Sequence, residues 1–120
     1  MKQVILLSCT KEKLEFKSKV KDLYSPSLNF RNLLKTSKNR KPDKILVISA
    51  KHHVLELEDE IEPYDLNLMD LSHKEKLHWG EEVAKQLKEK HLNLDVDYFF
   101  LILDHNYRDL IEPHLKHHLS

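Results

Sequence analysis

Three short, continuous apolar runs constrain this chain more than any other feature. They are Val4-Ile5-Leu6-Leu7, Ile45-Leu46-Val47-Ile48 and Tyr98-Phe99-Phe100-Leu101-Ile102-Leu103. A strand with one wet face alternates apolar and polar residues, whereas an unbroken run suits a strand covered on both faces. Helical patterns separate the runs. Ser25-Pro26 reads as an N-cap followed by proline at the first helical position, with Phe30, Leu33 and Leu34 then sharing a face. Ser72 and Glu75 have the spacing of a capping box, and Leu77, Gly80, Ala84, Leu87 and His91 follow at helical spacing with charges opposite. A third helix is expected from near Asn106, burying Tyr107, Leu110 and Ile111.

Alternating strands and helices imply parallel strands joined by right-handed crossovers. The expectation is one α/β domain over residues 1–120: a three-layer sandwich with a short, mainly parallel central sheet in βαβαβα order. A chain of 120 residues suits one modest core. No internal repeat, low-complexity run or interdomain linker interrupts it. Residues 9–24 and 50–71 carry no regular pattern. Loops this long are usually functional or disordered. Their anchoring residues Phe16, Leu23, Tyr24, Ile61, Pro63 and Tyr64 argue for order.

Composition excludes several classes. The single Cys9 rules out an intramolecular disulfide and fits a reducing, cytoplasmic setting. The opening apolar run is too short for a signal peptide or a membrane span, so no membrane partner is expected. Gly80 is the only glycine, and it falls inside a helical pattern. Walker-type phosphate loops and dinucleotide fingerprints need several glycines, so neither motif is present and no cofactor is expected. Oligomeric state has no sequence signature here.

Formal charge is zero, but its distribution is uneven. Residues 1–44 hold twelve Lys/Arg and four Asp/Glu, a formal +8, and residues 45–120 hold eight and sixteen, a formal −8. A basic half attracts phosphate. The alternative is that the two halves neutralise each other across the fold or an interface.

The candidate chemistry lies where the strands end. Ser8, Cys9, Thr10, Lys11 and Lys13 follow the first run. Ser49, Lys51, His52 and His53 follow the second, and Asp104, His105, Asn106 and Tyr107 the third. In open parallel sheets, ligands bind beyond the carboxyl ends of the strands. Hydroxyls, ammonium groups, imidazoles and an amide there suit a polar, anionic ligand. Strand ends that simply meet solvent are the alternative. Lys13 and Lys51 can hold phosphate as point charges or stay solvated. Cys9 can pair with His52 or His105 as nucleophile and base, or be a structural thiol. Asp104 and His105 are the candidate acid–base groups. Adjacent His52 and His53 point to opposite sides, so no metal site is assigned.

Glu62-Pro63-Tyr64-Asp65 reads as a lid. Pro63 biases Glu62 to an extended shape. Tyr64 can stack on a base or plug the core, and Asp65 can accept from a ribose or base edge or cap a turn. Glu56 to Glu60 reads as a solvated face, and Trp79 as packing against the sheet. His114, His117 and His118 sit in a tail.

Several of these motifs are familiar. Leu7-Ser8-Cys9-Thr10-Lys11-Glu12-Lys13-Leu14, Asp22-Leu23-Tyr24-Ser25, Ile48-Ser49-Ala50-Lys51-His52-His53-Val54 and Ile61-Glu62-Pro63-Tyr64-Asp65 resemble blocks of a family of small uncharacterised bacterial and phage domains. His78-Trp79-Gly80 and Asp104-His105-Asn106-Tyr107 are similar, more distantly, to segments of YaaA-type peroxide stress proteins. The Cys-plus-lysine opening resembles a motif of archaeosine synthases, which contain a domain similar to uracil-DNA glycosylases. His53 stands where a glycine is usual in the first family. The glycine-containing C-terminal extension of its relatives does not follow the third helix. The resemblance implies a nucleotide, nucleobase or nucleic-acid ligand, with chemistry at a base or glycosidic bond. A non-catalytic module that sequesters a small ligand or binds a protein is the alternative expectation.

Overall fold

The computed structural model describes residues 1–120. The three apolar runs become β1 (Gln3–Ser8), β3 (Lys44–Ser49) and β6 (Tyr98–Ile102). β1 lies between the other two and pairs parallel with both. Two further strands extend the sheet: β4 (His53–Glu56), antiparallel to β3, and β7 (His117–Leu119), parallel to β6. The result is a five-stranded, mostly parallel mixed sheet in the order β4-β3-β1-β6-β7. The histidine tail therefore ends as an edge strand.

The pleat divides each strand between two cores. Val4 and Leu6, Leu46 and Ile48, and Phe99 and Leu101 face one side. They pack there against α3 (His73–Glu89) and α4 (His105–Ile111). Ile5, Leu7 and Val47 face the other side. They meet α1 (Val20–Leu23), α2 (Leu28–Asn39) and the buried ring of Tyr24. Both faces of the sheet are thus covered by helices, which is why the runs are continuous.

The irregular-looking segments are more structured than their sequence suggests. Residues 9–24 contain β2 (Ser18–Lys19) and α1, and residues 50–71 contain β4, β5 (Glu60–Ile61) and a 3-10 turn at Leu68–Asp70. β2 and β5 pair antiparallel as a separate two-stranded ribbon. Of the expected anchors, Leu23, Tyr24 and Ile61 are buried and Pro63 and Tyr64 half-buried, while Phe16 is exposed.

Helix boundaries differ in instructive ways. α2 is capped by Ser27, whose Oγ accepts from the Phe30 N–H at 3.1 Å, rather than by Ser25. Ser25 and Ser27 donate main-chain N–H groups to Asp22 and Tyr24, so the chain is still turning out of α1 there. The capping box of α3 forms in full: the Ser72 hydroxyl accepts from Glu75 N–H and the Glu75 carboxylate from Ser72 N–H. Leu77 is exposed, so the buried face of α3 is Trp79, Gly80, Val83, Ala84 and Leu87. His91 lies just past the helix with φ 64° and ends it in the left-handed manner typical of C-caps.

Two backbone positions are tightly specified. A Cβ on Gly80 would stand 2.5 Å from the main-chain oxygen of Leu110, so this glycine lets α3 and α4 touch backbone to backbone. His53 opens β4 with φ 67°, a region glycine enters freely and other residues at a cost. Its ring stacks on Trp79 at 6.1 Å between centroids.

Gly80→Ala is expected to destabilise the protein by about 1–3 kcal/mol through overpacking, despite alanine's better helix propensity. A fall in urea midpoint at unchanged m-value checks this. His53→Val is expected to cost more than His53→Gly by about 1–2 kcal/mol, because a β-branched residue tolerates the left-handed region poorly. Equal stabilities for the two variants in chemical denaturation would remove the argument from φ.

Candidate functional site

The connection leaving β1 runs to the face covered by α1 and α2, and the one leaving β6 runs to the face covered by α4. Divergent loops open a crevice at the carboxyl ends of the strands. The strand ends are stitched together there. Cys9 N–H donates to the Ile48 carbonyl at 3.0 Å, and Asp104 N–H to the Ser8 hydroxyl at 2.9 Å.

The loop after β1 divides the crevice into two clefts. One, of about 480 Å³, lies between Cys9–Lys13, the segment from Tyr64 to Asp70, and the start of α4. Lys11, Lys13, Asp65, Asn67, Asp104 and Asn106 give it ammonium, carboxylate and amide groups, and Tyr64 and Tyr107 give it phenols. The other, of about 600 Å³, lies towards α2 and is lined by Ser8, Glu12, Ser27, Asn29, Phe30 and Arg108, among others. Cys9, Thr10, Lys11 and Asp104 border both.

A hydroxyl network supports the first cleft from below. Ser49 is fully buried; its Oγ donates to Tyr64 Oη at 2.7 Å and accepts from the N–H groups of Lys51 and His52. Tyr64 Oη also shares a 2.6 Å hydrogen bond with Tyr24 Oη. The Lys13 ammonium stands over the Tyr64 ring, 4.7 Å from its centroid, and within 5.9 Å of the Tyr24 ring. Such cation–π contacts hold a lysine head at the cleft wall instead of in bulk water. The Cys9 thiol meets the Tyr107 hydroxyl at 3.4 Å.

Burial, followed by the neighbouring Cys9, pushes the Tyr64 and Tyr107 phenols well above the ordinary tyrosine range. Burial and then Tyr64 do the same to Tyr24. All three therefore stay neutral at physiological pH and act as hydrogen-bonding groups, not bases. Burial and the adjacent Lys51 and His53 lower His52 below the usual histidine range.

Of the residues expected from sequence, Cys9, Lys13, Tyr64, Asp65, Asp104, Asn106 and Tyr107 come together in the first cleft, and Ser8 lines the second. Others fall elsewhere. Ser49 is the buried hub of the network. Lys51 is exposed and, with His53 and Trp79, lines a separate shallow depression. His52 lies edge-on to Tyr64 at 5.4 Å. Glu62 and His105 are exposed and line neither cleft. The thiol's hydrogen-bond partner is thus a phenol, with neither His52 nor His105 bonded to it. His52 and His53 turn to different aromatic neighbours, and no three His, Cys, Asp or Glu side chains converge. Tyr24, Asn67, Asn29 and Arg108 were not assigned from sequence. Arg108 carried a signal, since it lies one helical turn beyond Asp104 and so shares its face.

Ser49→Ala is expected to cost about 1–3 kcal/mol, because it strands two N–H groups and removes a donor to Tyr64. Tyr64→Phe, which keeps the ring under Lys13, is expected to cost about 1 kcal/mol. Chemical denaturation of both variants checks the order.

No curated protein and no solved structure matches the chain, so the likeness to YaaA-type proteins and archaeosine synthases rests on short motifs alone. The match to a family model is broad, covering residues 4–120, and the chain belongs to that family, DUF6884, a family of unknown function.

Proposed function

We propose that the first cleft binds a nucleotide or nucleobase. The observation that carries the proposal is the Lys13 ammonium held over the Tyr64 ring at the wall of a cleft otherwise rich in carboxylates and amides. Lys11 and Lys13 suit a phosphate as point charges. Asp65, Asn67 and Asn106 suit the donors and acceptors of a base or ribose. With one glycine in the chain, far from the loop after β1, phosphate is gripped by side chains and not by a glycine-rich cradle.

The proposal extends to chemistry at a base or glycosidic bond, with Asp104 as the acid–base group because it borders both clefts. A second reading, binding without turnover, is favoured by one observation: no imidazole lines either cleft, and its phenols stay protonated. Both readings share the same ligand class.

Thermal-shift measurements across nucleotides, nucleosides and free bases test the ligand class. At least one is expected to raise Tm, and Lys13→Ala to weaken its binding about tenfold, in keeping with a charge-assisted hydrogen bond of about 1.5–3 kcal/mol. No shift with any of them overturns the proposal. Recovery of the ligand unchanged separates binding from turnover, and turnover abolished in Asp104→Asn establishes the catalytic role.

A further inference from the structure

The structure pairs three cations of the basic N-terminal half with carboxylates and leaves the rest, those of α2 among them, without an ion-pair partner. Lys19 and Lys21 both pair with Glu58, at 3.0 and 2.9 Å, and Lys44 pairs with Glu56 at 2.7 Å. These are the lysines that the acidic half neutralises. The cations of α2 are not among them. Residues 26–42 contain Arg31, Lys35, Lys38, Arg40 and Lys41 and no acidic residue, all five are exposed, and none has an ion-pair partner.

Arg31, Lys35 and Lys38 have i, i+4, i+7 spacing and so form one stripe, spanning about 10 Å along the helix. The helix dipole accounts for cations near the C-terminal end, such as Lys38. Arg31, in the fourth position of the helix, donates through one Nη to the Ser25 carbonyl at 2.7 Å, which leaves its other guanidinium N–H groups for a ligand. Arg31, Lys35 and Lys38 line neither cleft: Asn29, Phe30 and Leu33 of α2 border the second cleft from the helix face turned away from the stripe.

We infer that the exposed face of α2 is a backbone-binding surface for a single-stranded nucleic acid, whose successive phosphates run along Arg31, Lys35 and Lys38. A mononucleotide in the first cleft satisfies Lys11 and Lys13 but leaves the stripe unused, whereas successive phosphates of a polymer match its length. An anionic membrane is the poorer fit. Phe30, Leu33 and Leu34 face the core and only Leu28 is exposed, so α2 has no apolar face to insert. The choice of nucleic acid over another polyanion rests on the nucleotide reading of the first cleft; the unpaired charge of the surface does not depend on it.

The test is titration of a labelled single-stranded oligonucleotide at several salt concentrations, with the intact protein and the triple variant Arg31→Gln/Lys35→Gln/Lys38→Gln. Glutamine preserves helix propensity at exposed positions. The variant is expected to bind the oligonucleotide about tenfold or more weakly. Its slope of log K against log salt is expected to be shallower by about 2, because each phosphate a cation neutralises on a single strand contributes about 0.7. Its thermal shift with nucleotides should be unchanged. Wild-type affinity and slope in the variant overturn the inference, as does tighter wild-type binding to phosphatidylserine vesicles or polyglutamate than to the oligonucleotide.

The two proposals fail separately. Nucleotide binding lost in Lys13→Ala while the triple variant still holds the oligonucleotide defeats the stripe and keeps the cleft. Stripe-dependent oligonucleotide binding with no nucleotide shift keeps the stripe and defeats the cleft.

Discussion

The structure depends on the burial of β1 between two parallel neighbours. Its side chains alternate between two cores, and Val4 to Leu7 are within 1% of complete burial. Each such side chain contributes about 1.5–3 kcal/mol when fully removed from water. The strand cannot shift by one residue without exchanging the two sets. Its register against Lys44–Ile48 and Tyr98–Ile102 is therefore fixed, and with it the position at which all three strands release the chain. Ser8, Cys9 and Asp104 meet there because their strands end level.

Much of this was legible in the sequence. Unbroken apolar runs announced strands covered on both faces, and the Ser72/Glu75 spacing announced the start of α3. The short strands were not legible. β2 and β5 are two residues each and β7 is three, too few to show any period. They are selected by tertiary pairing and not by local preference. Ser27 displaced Ser25 as a cap because the turn after α1 had first to close.

The candidate site was legible as a place more than as a list. The strand ends converged as expected, but Ser49 and Lys51 took other roles. Pleat parity explains Ser49. It shares the orientation of Val47, and so points into the core beside Tyr24 and not out to solvent. The phenol network was hidden because Tyr24 and Tyr64 are forty residues apart and share no pattern. Charge behaved similarly. Net neutrality conceals a division, visible only in three dimensions, between lysines that Glu56 and Glu58 hold and those of α2 that nothing holds.

The two sides of the first cleft are anchored very differently. On one side, α4 presses its backbone on α3 at Gly80. On the other, no main-chain hydrogen bond involves residues 62–66, and the segment is tied to the sheet by the Tyr64 phenol through Ser49 and Tyr24. The cleft thus has one jaw that belongs to the core and one pinned at two points, the Tyr64 phenol and, four residues on, the buried Leu68. Changes at Glu62, Asp65 or Leu66 can reshape the opening without disturbing the packing that makes the domain fold. The lining of a cleft built this way can drift while the scaffold stays put, and chains that share this frame can differ in the shape and charge of its opening.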